Sequence, residues 1–486
     1  MVRKRKSSQS ILKNRRYIFP TKKFISTTLP YVNSKPHIGH AFEFILGDVI
    51  ARYYRKLLQP ENVIFNVGVD EHGIKVQQAA EAAGKDPQDY CDELADLWID
   101  FCSKFQISYD SFYRTSSSLH KKRSIQYFND LKESPDTLYK KNYTGKYCVG
   151  CETFKTDKEI IDNRCEIHGT ELQTLSEENW FLNLHKFAPN IKDILVDKSL
   201  SQELKNTIQD FKEISVTRQN VDWAVQLGDN TSLYVWEEAL KNYVFAAGYP
   251  NKTDFLEYWE NALIICGKDN LKFQAYVLQA LCLANGIPQN KEVLVHGTIL
   301  DMHGKKMSKT VGNVIDPIEQ LEKFGISPLR FYFFGQLITF GDSSYAEIDV
   351  IDFWNSRVVD VWGNLLSRAL HLIDLKQIDI IPSDQRHQLE ISQKYKALDQ
   401  LFEEYSFRTF TRTLFEYTTN LNKRISIEKP YAKDCQDPQR ILSEIYHELV
   451  ILESYYSLII PEYELITQDA LKNKRKVILF KKLEEI

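Results

Sequence analysis

Three groups of residues in this chain have types and spacings suited to chemistry. The first is Pro36-His37-Ile38-Gly39-His40, which puts two imidazoles three residues apart at the junction of a strand pattern and a helical one. At that spacing both rings project on one side of a helix entry, where unbonded amide groups favour a phosphate. Gly39 between them leaves room for a flat ring to approach the backbone. The second group is Gly304-Lys305-Lys306-Met307-Ser308-Lys309-Thr310. Lys306 and Lys309, flanked by glycine and hydroxyls, suit a loop that clamps a triphosphate and places point charges where negative charge develops on phosphorus. The third is Cys148-x-x-Cys151, then 13 residues, then Cys165-x-x-His168. Three thiolates and an imidazole fill a tetrahedral shell, which predicts one structural Zn²⁺ with no position open to water.

The elements that must carry these groups follow from apolar spacing. Phe24–Leu29 reads as a strand, and from Gly39 to Leu58 apolar residues recur at three and four, as in a helix. Ile64–Val69 is a second strand, ending at Asp70-Glu71-His72-Gly73, and a helix follows through the alanines near Glu81. Strand signals return at Leu263–Cys266 and Val293–Val295. This alternation predicts an α/β fold with a parallel sheet and functional groups in loops beyond the strand ends. The expected layout is a basic arm (1–23), the first half of a nucleotide fold (24–135) and an insertion holding the cysteine cluster (136–230). The second half of the fold (231–344) and an all-helical region (345–486) complete it, with helices over Phe353–Leu372 and Lys394–Glu428.

Composition excludes several classes. A chain of 486 residues, 43% hydrophobic and 26% charged, has ample material for several cores. It has none of the roughly 18-residue apolar runs that a membrane helix needs. Eight cysteines are too sparse for a disulfide scaffold. Cys91, Cys102, Cys266, Cys282 and Cys435 read as buried small apolar residues, and a reducing, cytoplasmic setting is expected. The net charge of -4 is uneven: residues 1–23 carry nine positive charges and no acid, leaving the rest at -13. Such an arm suits polyanions, while a solvated terminus and an organelle transit peptide remain open readings.

Pro36–His40 and Lys306–Lys309, in this order and about 270 residues apart, resemble the "HIGH" and "KMSKS" signatures of class I aminoacyl-tRNA synthetases, with Thr310 in place of the last serine. Thr28-Leu29-Pro30-Tyr31-Val32-Asn33, Val69-Asp70-Glu71-His72-Gly73, Tyr234-Val235-Trp236, Gly267-Lys268-Asp269 and Val311-Gly312-Asn313-Val314 look like the methionyl-tRNA synthetase family, a likeness that runs from residue 24 to about 435. The resemblance implies a Rossmann-type class I nucleotide fold, the zinc knuckle in its connective insertion and a C-terminal helical anticodon-binding domain. It implies ATP with Mg²⁺, methionine and tRNA (initiator and elongator methionine tRNA) as substrates, and a monomer. His37, His40, Lys306 and Lys309 would act on the phosphates; Gly39, Asp269, His296, Gly297, Met307 and Ser308 would bind ATP. Leu29, Asp70, Trp236, Ala239, Tyr243, Asn270 and Gln274 would surround the amino acid, and Asn364, Arg368 and Tyr431 the anticodon.

Ordinary structural roles stay open beside these. Asp70 also suits a helix cap, Trp236 and Tyr243 core aromatics, and Asn364 with Arg368 a polar helix face. The pocket departs from the family pattern, with Asn270 for isoleucine, Gln274 for histidine, Leu278-Gln279 for Trp-Pro and Trp236-Glu237-Glu238-Ala239 for Trp-x-Asp-Ala. Buried amides against a thioether would go unpaired. Two further readings therefore remain: a paralogue activating another amino acid for a non-tRNA acceptor, and an idle tRNA-binding protein.

Overall fold

Five short segments form one sheet: β1 (Lys23–Ser26), β2 (Val63–Val69), β3 (Ser111–Arg114), β4 (Leu263–Gly267) and β5 (Glu292–His296). In the computed structural model, which describes residues 20–32, 35–150, 153–155, 160–166, 169–307 and 312–484, all neighbours are parallel and the order is β5-β4-β1-β2-β3. Parallel strands need crossovers that cover both faces, so β4 reads as an unbroken apolar run, Leu263 to Cys266, with every residue buried. The strand order reverses between β1 and β4. Ligands of open α/β sheets bind at that switch point, beyond the strand C-termini.

The helix α1 (Ile38–Leu58) leaves the end of β1 and is buried on most of its circumference. It is held against the helical region by buried polar groups. Asp48, fully buried, accepts from Arg52 Nε at 2.7 Å and from the Ser108 amide at 2.7 Å, and it pairs with Arg330. Arg330 lies on a helix spanning Ile326–Gly335. It also donates to the Phe105 carbonyl at 2.9 Å and to the Ile459 carbonyl at 2.8 Å, at the end of helix Pro438–Ile459. One guanidinium thus satisfies an orphan helix-end carbonyl and neutralises the Asp48 carboxylate. Near the other end of α1, Lys56 Nζ donates to the Ser454 carbonyl and Ser457 Oγ, both at 2.7 Å.

Between the sheet halves lies a separate four-stranded antiparallel sheet. Leu138–Cys148 pairs with Thr153–Lys155 on one side and Gln173–Asn183 on the other, and Gln173–Asn183 pairs with Glu213–Ser215. The C-terminal region is helical through Asn473 and irregular from Lys474.

Four expectations need correction. Lys394–Glu428 is two helices, Gln385–Glu403 and Phe407–Glu428. Tyr405 between them takes a left-handed φ of 56°, and its hydroxyl reaches Glu292 at 2.8 Å, a long-range partner that local spacing cannot reveal. The first strand ends at Ser26, not Leu29. Lys22 and Lys23 belong to the folded body: Lys22 pairs with Asp254, and Lys23 is buried beside Glu292 at 3.4 Å. The rest of the basic arm, residues 1–19, lies outside the described residues. Cys435 is half-buried, while Cys91, Cys102, Cys266 and Cys282 are buried as expected. No helix among the described residues is long and apolar enough to cross a membrane.

Removing Arg330 would strand the Asp48 charge. Arg330→Leu should lower unfolding free energy by about 3 kcal/mol in urea titrations; a change under about 1 kcal/mol would contradict the bracing role. Glu453, 5% exposed, has one oxygen without a partner among the described residues, and burial, reinforced by Glu464 and only partly opposed by Lys56, pushes its carboxyl up to about 7. The folded state then holds a proton that the unfolded chain releases from about pH 4.5, so this group's contribution worsens between those values as pH rises. Glu453→Gln should therefore stabilise the protein at pH 8 by about 1 kcal/mol or more relative to its effect at pH 5, read from denaturation midpoints. Equal effects at both pH values would refute it.

Candidate active site

The start of α1 is capped by its own histidines. His37 sits at the N-cap in extended backbone, and its Nδ1 accepts from the Gly39 amide at 3.1 Å. His40 Nδ1 accepts in turn from the His37 amide at 3.1 Å. The rings stack with centroids 3.7 Å apart. Because each Nδ1 accepts from a backbone N–H, the ring proton of each lies on Nε2. Burial, with His37 and His296 nearby, holds His40 well below the usual imidazole range, so it is a neutral donor. This corrects one expectation: the amides of His37 and Gly39 are not left for a phosphate, and the imidazoles present the donors instead. A Cβ on Gly39 would lie 3.0 Å from His37 Cε1, so glycine makes room for the capping ring itself.

The ends of β4 and β5 stand beside this corner. Lys306 Nζ lies 3.5 Å from Asp269 Oδ2, and both side chains are largely exposed. Lys268 pairs with Asp342 at 2.8 Å. His296 is buried, with Nδ1 2.8 Å from the Gly297 carbonyl and Nε2 2.9 Å from Glu43 Oε2. Glu43 Oε1 accepts from the amide and hydroxyl of Thr28 at 2.7 and 2.6 Å. Both ring nitrogens of His296 are engaged within the protein, where it joins β5, α1 and the exit of β1. Gly297 is required sterically, since a Cβ there would lie 1.9 Å from the Gly341 carbonyl oxygen. Met307 is half-buried against the core; Ser308 and Lys309 lie outside the described residues.

A third wall is built from the exits of β1 and β2. The backbone of Asp70 bonds Pro30 and Val32, and its carboxylate, 5% exposed, accepts from Thr115 Oγ1 at 3.2 Å. The helix Ile74–Ala82 begins at Gly73 without a side-chain cap, so Asp70 is not its cap. Leu29 is half-buried next to this loop. Trp236 stacks on Phe273 with centroids 3.9 Å apart and meets the edge of Tyr31 at 6.0 Å. Tyr243, buried, accepts from Gln274 Nε2 at 3.0 Å; Ala239 and Asn270 are half-buried.

Behind that wall, buried Glu238 faces His72 Nδ1 at 3.3 Å and contacts His120, and these imidazoles, outweighing burial, hold its carboxyl below the usual range. Adjacent Glu237 pairs with Lys241 at 2.8 Å. Sequence reasoning missed Glu43, His120 and Phe273. A buried acid one helical turn beyond His40 was the available signal for Glu43.

The remaining candidates sit apart. Cys148 and Cys165, both buried, pack into one small cluster with Leu172, while Cys151 and His168 lie outside the described residues. Asn364, exposed, and Arg368, half-buried, stand one turn apart on helix Asn364–Leu375. Arg368 donates to Asn422 Oδ1 at 3.0 Å and Ser426 Oγ at 3.1 Å on helix Phe407–Glu428, and Tyr431, exposed, follows that helix.

The family model described as tRNA synthetases class I (M) matches residues 23–161 and 156–370. A methionine–tRNA ligase of Thermotoga maritima is 32% identical over 430 residues, covering 84% of this chain and 68% of that protein. One from a Nostoc species is 31% identical, covering 88% and 85%. The structure of Mycobacterium tuberculosis methionyl-tRNA synthetase in complex with methionyl-adenylate superposes with a TM-score of 0.84 at 26% identity, covering 94% of this chain and 95% of that one. A histidine-capped helix at the switch point of a five-stranded parallel sheet, together with these matches, places the chain in the methionyl group of the class I tRNA synthetase family.

Proposed function

We propose that the protein is a methionine–tRNA ligase, which forms methionyl-adenylate from methionine and ATP and transfers the methionyl group to tRNA. The observation that carries this reading is the stacked His37–His40 pair, with its ring protons on Nε2, standing where β1 and β4 diverge. The methionine carboxylate attacks the α-phosphorus of ATP, and pyrophosphate leaves with the bond electrons. The two Nε2–H groups hydrogen-bond phosphate oxygens as charge shifts toward the leaving group. Lys306, drawn from Asp269, and Lys309 add positive charge there. The contribution is positioning and electrostatics, with no covalent protein nucleophile.

Asp269, released from Lys306, suits a pair of ribose hydroxyls, and Gly39, Gly297, Met307 and Ser308 complete the nucleotide contacts. Mg²⁺ enters with ATP. The Asp70 carboxylate receives the substrate ammonium, while Leu29, Trp236, Ala239 and Tyr243 surround the side chain. Asn364 and Arg368 read anticodon bases and Tyr431 stacks on one, in initiator and elongator methionine tRNA alike. We assign these roles to the segments 24–135 and 231–344 for catalysis and 345–486 for the anticodon, in a cytoplasmic monomer, with the basic residues ahead of Lys22 on tRNA phosphates.

For the insertion (136–230), two thiols buried in one cluster fit a metal knuckle, with Cys148, Cys151, Cys165 and His168 as the ligands of one Zn²⁺. That ion would be structural: it closes the insertion and takes no part in the chemistry.

Lys309→Ala should lower the rate of methionine-dependent ATP–pyrophosphate exchange by about 100-fold or more, with methionine binding changed less than about threefold. Equal losses in both would contradict a role confined to the transition state. Metal analysis of the purified chain should find one zinc per molecule, lost in Cys148→Ser; a folded, zinc-free wild type would refute the knuckle.

A further inference from the structure

Gln274 is a buried amide that the protein satisfies at only one end. It is 4% exposed; Nε2 donates to the Tyr243 hydroxyl at 3.0 Å, while Oε1 has no partner among the described residues. Its backbone lies in the π-helical turn Phe273–Val277, a distortion that leaves carbonyls without their usual partners. Gln279 fills that gap: its Nε2 donates to the Gln274 carbonyl at 2.7 Å and to Asn290 Oδ1 at 2.7 Å, and Asn290 is held in turn by the Glu292 carbonyl at 2.8 Å. The Gln274 backbone is therefore held by the buried Gln279 amide, itself braced by Asn290, and its side chain is held by Tyr243.

Gln274 is bonded to a residue assigned to the amino-acid crevice. Phe273, the adjacent residue, stacks on Trp236, and Tyr243 accepts from the Gln274 amide. Trp236 and Tyr243 are the aromatic residues assigned above to the substrate side chain. Burial keeps Tyr243 protonated, so the hydroxyl that accepts from Gln274 still has its own proton to donate. The two side chains together present one donor, Tyr243 O–H, and one acceptor, Gln274 Oε1. A thioether uses the donor and leaves the acceptor unmatched. A terminal hydroxyl uses both.

Resting on the reading of this crevice as an amino-acid activation site, we infer that Gln274 is a specificity-determining residue that lets the pocket take, beside methionine, amino acids of methionine size whose side chain ends in a hydrogen-bond donor. Gln279 and Asn290 are positioning residues for it.

The test is ATP–pyrophosphate exchange by the full-length protein with L-methionine, L-norleucine and L-5-hydroxynorvaline. The last two differ only in a terminal methyl or hydroxyl, and an apolar pocket would reject the hydroxyl. The wild type should favour hydroxynorvaline over norleucine in kcat/KM by about tenfold, the scale of one hydrogen bond to an otherwise unmatched buried group. Gln274→Leu should bring that ratio to one or below, and Gln274→Glu, which keeps an acceptor, should hold it above one. Because the ratio is internal to each preparation, partial loss of folded protein does not affect it, and the wild-type ratio decides if a variant fails to fold. A wild-type ratio at or below one, a ratio unmoved in Gln274→Leu, or exchange with methionine alone would overturn the inference. No exchange with any amino acid, methionine included, would overturn the activation reading itself, and the inference with it.

Discussion

The buried pairing of Asp48 with Arg330 is the interaction on which the rest of the molecule depends. α1 begins at the site, and through the Asp48 carboxylate it reaches both the Ser108 amide, in the loop before β3, and Arg330, which in turn bonds the end of helix Pro438–Ile459. Two charges removed from water gain little by pairing, but breaking such a pair is costly. The arrangement therefore acts as a lock on geometry more than as a source of stability. Arg330 uses its fork of donors to tie Asp48 to two backbone carbonyls from distant parts of the chain, which fixes the axis and rotation of α1.

With its body held, the N-terminus of α1 can place two imidazoles to within hydrogen-bond tolerance. The reciprocal cap between His37 and His40 uses the backbone to choose the ring tautomer. One turn further along, Glu43 reaches both Thr28 and His296, so the exits of β1 and β5 are indexed to the same helix. Catalytic groups of an enzyme that works by positioning have to be held in this way, because displacement of about 1 Å costs roughly a hundredfold in rate. The chemistry of the site is thus a consequence of how one helix is seated.

Much of this was legible before the fold was known. The parallel sheet follows from unbroken apolar runs such as Leu263–Cys266, and the pairing of two imidazoles at the start of α1 from the His37–His40 spacing, since both signals are local. What escaped depends on partners far away in the chain. Nothing near His296 announces its partner Glu43, 253 residues earlier. The break at Tyr405 and the burial of Lys23 have the same origin, as each is stabilised by Glu292. The unusual glutamines looked like separate departures from a family pattern; in the fold Gln279 holds the carbonyl of Gln274, and the two are one unit.

The central claim is that α1 delivers the two histidines as Nε2–H donors. Long-range ¹⁵N–¹H correlation spectra of the ¹⁵N-histidine-labelled protein at pH 7 report the tautomer of each ring directly, with His37→Gln and His40→Gln supplying the assignments. The account predicts protonated Nε2 and unprotonated Nδ1 for both, with His40 still neutral at pH 6. A proton on Nδ1 of either ring, or an imidazolium at His40, would contradict it.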